Sequence, residues 1–235
     1  MWAVNDAKSR GMKLPIIYNT SGYENVTELK LLEGIVDVYL PDFKYMDSTL
    51  SARYSRAKDY PSVAKQALSE MVRQQPDVVI DDATGLIQKG VIVRQLLLPG
   101  HVNDAKAVLK YLYDTYHDHV YISMMSQFTP IALKDYPEIN RTVTRREYER
   151  LVDYALEIGI TNAFIQEGDV AKDSFIPAFD CVFCQNREIS DGKEGKVISK
   201  ERLSDIFMEL ADKGANNINL VTPGQYIPDI VWAVN

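Results

Sequence analysis

Cysteine and histidine are scarce in this chain, with two Cys and three His among 235 residues. A disulfide-stapled scaffold is thereby excluded, since such scaffolds carry several cysteine pairs in a much shorter chain. No stretch approaches the ~20 consecutive apolar residues needed to span a bilayer. The opening residues Met1 to Lys8 lack the apolar core of a signal peptide, so a cytoplasmic protein with no membrane contact is expected. Positive charge is also short: 26 Lys and Arg against 33 Asp and Glu leave a formal net charge of -7. That balance argues against nucleic acid as a partner.

What is present is a repeated alternation of apolar runs with amphipathic ones. Leu14 to Tyr18, Val36 to Leu40, Val91 to Leu98, Val120 to Met125, Asn162 to Ile165 and Ile218 to Val221 are rich in Val, Ile, Leu and Tyr, and read as strands. Val26 to Glu33, Ser62 to Gln74, Asn103 to Tyr116, Thr144 to Ile158 and Ser199 to Lys213 read as helices. Asn103 and Ser199 are expected N-caps, and Gly159 and Gly214 expected stops. Strand–helix alternation predicts an α/β fold with a parallel sheet, as a doubly wound sheet or a barrel. The length suits one domain.

The tetrapeptide Trp-Ala-Val-Asn occurs twice, at Trp2 to Asn5 and at Trp232 to Asn235. Joining the chain over this overlap completes one helix, from Tyr226 through Asn235 and on to Gly11, with Pro228 in its first turn and Gly11 just past its end. The expectation is a circular permutation within one domain. Residues 1–179 would be the later part of a barrel, and residues 180–235 the early segment.

The two cysteines form a single C-x-x-C, Cys181-Val182-Phe183-Cys184, which in a reducing compartment points to metal, cluster or redox chemistry. Asn19-Thr20-Ser21-Gly22-Tyr23 and Asp42-Phe43-Lys44 each follow an apolar strand run, and Arg94 to His101 completes another and ends in Pro99-Gly100-His101. Taken in permuted order, these segments resemble the radical S-adenosylmethionine enzymes of the pyruvate formate-lyase activating type. Phe183 stands at the aromatic position of that family's C-x-x-x-C-x-aromatic-C signature. The resemblance covers nearly the whole chain. It implies a partial, open TIM-like β/α barrel of parallel strands, with Cys181 and Cys184 as ligands of a 4Fe-4S cluster. Asn19, Ser21, Asp42, Lys44, His101, Gln127 and Thr222 would line the S-adenosylmethionine site at the carboxyl-terminal strand ends.

The implied activity is reductive cleavage of S-adenosylmethionine to a 5′-deoxyadenosyl radical, with a glycyl radical enzyme or another hydrogen-atom donor as partner. The chain departs from the family at three places. Pro177 stands where the first cluster cysteine belongs, the first barrel strand that precedes the cysteines is absent, and Thr222-Pro223-Gly224 replaces a Gly-Gly-Glu segment. These departures predict an impaired radical enzyme, and an unpaired barrel edge or exchanged helix predicts a homodimer. The rival readings are a barrel fragment that binds no cluster and a thiol–disulfide protein using Cys181 and Cys184. His117 and His119 are read as helix-end residues, Asp81-Asp82 as an exposed turn, and Tyr111, Tyr113 and Tyr116 as a packing face.

Overall fold

The structure, a computed structural model, describes residues 2–130, 133–165 and 198–221. Seven strands build one sheet: β1 (Ile16–Thr20), β2 (Val38–Pro41), β3 (Val79–Ile80), β4 (Ile87–Leu96), β5 (Tyr121–Met125), β6 (Ala163–Ile165) and β7 (Ile218–Val221). The helices are α1 (Trp2–Ser9), α2 (Val26–Lys30), α3 (Ser48–Ser55), α4 (Tyr60–Gln74), α5 (Val102–Tyr116), α6 (Arg145–Glu157) and α7 (Lys200–Asp212). The strand order is β6-β5-β4-β2-β1-β7, with every neighbouring pair parallel. Strand β3 lies off this path, folded back antiparallel on β4. The protein is therefore an α/β fold on a mainly parallel sheet, which the described strands leave open, with β6 and β7 at its edges. Strand β7, late in the chain, lies against β1, so from β7 each step across the sheet reaches the next strand of a single winding.

Burial alternates along β5 because successive side chains point to opposite faces. Ile122 and Met124 are buried on β5, while Tyr121, Ser123 and Met125 are half-buried. The buried set, Ile16, Tyr18, Tyr39, Val91, Val93, Ile122, Met124 and Ile218, belongs to one apolar cluster with the inward residues of the helices. Helix α4 contributes Ala64, Ala67, Leu68 and Met71, and α5 contributes Ala105, Val108, Leu109 and Leu112. Both sets follow the spacing of a helical stripe. The opposite sheet face carries Ile17, Leu40 and Ile92, half-buried, and Val38 and Leu96, buried, and it is also the face of Asn19, Asp42 and Arg94. Helices thus cover one face, and polar side chains gather on the other.

Local chemistry explains most boundaries. Helix α6 opens with a reciprocal capping box between Thr144 and Glu147, and α7 with Ser199 accepting from the Arg202 amide. Gly159 and Gly214 adopt φ of +88° and +79° just past their helices, as expected of stops. Helix α1 is tied to α7 by Arg10–Asp205 (2.9 Å) and by Ser204 donating to Asp6 (2.6 Å). Asp81 caps the exposed turn between β3 and β4, and His117 and His119 lie in a 3-10 turn after α5, both as expected.

Some expectations need correction. The N-cap of α5 is His101, not Asn103, because the chain turns at Gly100 (φ +82°) and the helix begins at once. Strand β1 runs on through Asn19 and Thr20, past the expected end at Tyr18, because the parallel ladder continues as far as Thr20 opposite Pro41. Helix α3 was not foreseen; it is polar and short, and Asp47 caps it. The second Trp-Ala-Val-Asn, the helix from Tyr226 and the 179/180 junction lie outside the described residues.

The covered face makes a direct prediction. Leu109 is fully buried, so Leu109→Ala should cost about 2–5 kcal/mol in urea unfolding. Leu156 on α6 is 63% exposed, and Leu156→Ala should stay within about 0.5 kcal/mol.

Candidate functional site at the carboxyl-terminal strand ends

Three adjacent strands deliver charged or amide side chains to one point. Just past β2, Asp42 bridges to Arg94 of β4, and the register puts both on the same face as Asn19 of β1. The Arg94 guanidinium bonds Asp42 at 2.6 Å and donates to the Asn19 amide oxygen at 2.8 Å. The Lys44 ammonium meets the other Asp42 oxygen at 2.5 Å. All four residues are buried, with Lys44 4% and Asp42 7% exposed. The ion pair of Asp42 and Lys44 is thus buried, and Arg94 adds a second cation. One carboxylate faces two cations, so the group carries a net positive charge away from water.

Burial opposes ionisation of Asp42, but Arg94 and then Lys44 outweigh it and hold the carboxyl below the usual carboxylate range. One Arg94 donor, Nε, is buried and has no hydrogen-bond partner among the described residues. The side-chain oxygen of Gln127, just past β5, is buried and unpartnered too. Unpaired buried polar atoms of this kind are uncommon and call for an explanation.

Tyr60, the first residue of α4, braces the backbone beneath this group. Its hydroxyl accepts the Lys44 amide at 3.0 Å and lies 3.0 Å from the Ser21 carbonyl and 3.1 Å from the Asp42 carbonyl, either of which can take its proton. The ring stacks on Tyr23 with centroids 6.0 Å apart and meets Phe43 and Tyr45 edge-on. Gly22 completes the junction at φ +79°. A Cβ there would lie 2.1 Å from the Asp42 carbonyl oxygen, so only glycine lets the loop after β1 close on the end of β2. Nearby, burial raises the pKa of Glu24, whose carboxylate accepts a short hydrogen bond from Thr20.

Of the residues singled out from the sequence, Asn19, Asp42 and Lys44 are joined through Arg94, and the Ser21 backbone is tied to the same point by Tyr60. Gln127 is buried after β5. His101 belongs to a neighbouring cluster: its Nε2 lies 3.1 Å from the Tyr54 hydroxyl, which donates to Glu138 at 2.9 Å. Cys181, Cys184 and Thr222 lie outside the described residues. Among the described residues, no group of three or more His, Cys, Asp or Glu could hold a metal ion, and no helix is long and apolar enough to cross a membrane. Sequence reading had named Arg94 only as the start of the segment to His101, with no site role, and had left out Tyr60. An arginine inside the apolar run Val91 to Leu98 was the available signal for the first; nothing marked Tyr60 among 14 tyrosines.

No protein-family model matches the sequence. The chain is similar to an uncharacterized protein of Methanocaldococcus jannaschii, 29% identical over 143 residues. That match covers 60% of this chain and 38% of the relative, so the chain spans less than two thirds of the relative's length.

The buried pair yields a stability prediction. Asp42→Asn leaves two buried cations without their anion and should cost about 3–5 kcal/mol. The folded-state pKa of Asp42 is lowered, so its contribution is complete above the ordinary carboxylate range and is lost as pH falls through the folded value. Urea unfolding from pH 7 down to pH 3 should show the wild-type advantage over Asp42→Asn shrinking as pH falls. An advantage independent of pH would contradict the assignment.

Proposed function

We propose that this chain is a radical S-adenosylmethionine enzyme scaffold of the pyruvate formate-lyase activating type, and that its carboxyl-terminal rim binds S-adenosylmethionine. The observation that carries the reading is the buried, net-positive group of Asp42, Arg94 and Lys44 at adjacent strand ends. It is supported by the strand order β7-β1-β2-β4-β5-β6, which suits an open, circularly permuted TIM-like barrel. Barrel sites lie at this end of the strands.

The residues present fit the ligand. S-adenosylmethionine offers a carboxylate, ribose hydroxyls and an amino group. Lys44 and the unpartnered Nε of Arg94 suit the carboxylate, since burial strengthens a charge-assisted bond. Asn19 and Ser21 suit hydroxyls and the free oxygen of Gln127 suits an N–H donor; His101 and Thr222 are assigned to the same ligand by the family resemblance alone. Asp42 holds Lys44 and Arg94 in place, and Tyr60 with Gly22 holds the backbone that carries them. The bound cluster would supply the electron for cleavage of the sulfonium, and Cys181 and Cys184 are the thiolates this chain offers to it. A glycyl radical enzyme, or another hydrogen-atom donor, is the partner this reading implies.

The second reading is a barrel that binds the ligand but no cluster. Pro177, in place of the first family cysteine, favours it, because two thiolates fall short of the three that leave one iron open to the ligand.

Calorimetric titration of the anaerobic full chain with S-adenosylmethionine tests the site. Wild type should bind, Lys44→Ala should weaken binding at least tenfold, as expected for one charge-assisted contact, and Leu156→Ala should leave it unchanged. Absence of wild-type binding, or equal binding by Lys44→Ala, would overturn the reading. With a strong reductant, 5′-deoxyadenosine formation should not exceed that of a Cys184→Ala control. Product above that control at several turnovers per chain would contradict the expected impairment.

A further inference from the structure

The cluster around His101 stands apart from the Asp42 group and has its own proton chain. Helix α3 brings Tyr54 and Arg53, the 3-10 turn Pro137–Ile139 brings Glu138, and the loop between β4 and α5 brings His101. Glu138 accepts from Arg53 at 2.7 Å and from the Tyr54 hydroxyl at 2.9 Å. The Tyr54 hydroxyl has one proton, and Glu138, ionised and paired with Arg53, takes it. The same hydroxyl lies 3.1 Å from His101 Nε2, so it accepts there, and Nε2 must carry the imidazole proton. In neutral imidazole the lone pair is then on Nδ1, while Nε2 faces Tyr54. The loop is fixed as well: the Gly100 amide donates to Glu147 at 2.7 Å, and Glu147 is gripped by Arg141.

We infer that His101, Tyr54 and Glu138 form an acid–base site at the carboxyl-terminal rim, in which His101 Nδ1 accepts a proton from an N–H or O–H group of a small-molecule ligand. Tyr54 and Glu138 are positioning residues that select the tautomer. The transfer balances within the site: the proton passes from the ligand to Nδ1, and the imidazolium stays bonded through Nε2–H to Tyr54 and, beyond it, the Glu138 carboxylate. This arrangement, a base oriented by a hydrogen bond on its other nitrogen to a group backed by a carboxylate, is the general logic of oriented histidine bases. The charged groups that face the ring are Glu138 from the 3-10 turn, Asp47 at the N-cap of α3, Arg53 on α3 and Arg141 before α6. Burial lowers the imidazole pKa, and Glu138 and Asp47 work against that fall, which leaves His101 neutral and able to act as a base near neutral pH. The inference concerns protons and goes beyond the cofactor reading without depending on it.

The test is long-range ¹H–¹⁵N spectroscopy of the uniformly labelled full chain between pH 5 and pH 8, with His101→Gln used to assign the signal. Wild-type His101 should be the Nε2–H tautomer and titrate below the ordinary histidine value. Tyr54→Phe should give a mixture of tautomers, and Glu138→Gln should move the titration midpoint further down. The His117 and His119 signals should stay fixed in both variants and so report an intact fold. Diethylpyrocarbonate at pH 6 should acylate His101 at Nδ1. An Nδ1–H tautomer in wild type, an unchanged tautomer in both variants, or a His101 that resists acylation would each overturn the inference.

Discussion

The structure turns on one buried carboxylate. Asp42 ends the β2 segment and is held from one side by Arg94 of β4 and from the other by Lys44. A carboxylate taken from water is costly unless its partners approach closely, and the same holds for the two cations. The three therefore have to assemble together, which requires β1, β2 and β4 to end at the same level. The parallel register delivers this: Thr20 pairs with Pro41, and Asp42 with Arg94. Tyr60 and Gly22 maintain the level from below, one by bonding three backbone groups and the other by having no side chain.

The same requirement explains why the two faces of the sheet differ. The face packed by α4 and α5 is filled with Tyr, Val, Ile and Met, and there the helical stripes supply the apolar stabilisation. The opposite face could not hold Asn19, Asp42 and Arg94 unless polar atoms met polar atoms. They meet at one end of the strands, leaving a net positive charge and unpartnered polar atoms on Arg94 and Gln127. The order β7-β1-β2-β4-β5-β6 sets β1, β2 and β4 side by side at this end. The His101 cluster lies beside it, supplied by the loops after β2 and β4.

Much of this was legible in the sequence, and the gaps have physical causes. The six long-path strands and the larger helices were visible, because a strand covered by helices shows as an apolar run and a surface helix as a stripe. Asn19, Asp42 and Lys44 were legible because polar residues directly after such runs fall at strand ends. Arg94 was hidden because it sits within its run, and its burial makes sense only once Asp42 is beside it. Tyr60 was hidden because its role depends on three backbone groups from two other segments, contacts that no local pattern records. Helix α3 was missed for a related reason. Its buried residues, Ser51, Tyr54 and Ser55, leave no apolar stripe to read. The cysteine loop at Cys181 and Cys184 was the loudest signal in the sequence, and it lies outside the described residues.

The central claim is that the charged group at the strand ends is a ligand site and not solely a structural brace. Hydrogen–deuterium exchange with and without S-adenosylmethionine tests it most directly, since a bound ligand slows exchange where it restrains local opening. The account expects slower exchange in residues 19–23, 42–46 and 126–128, with no change in the hairpin of β3 and β4. Identical exchange with and without ligand, or protection confined to that hairpin, would contradict it.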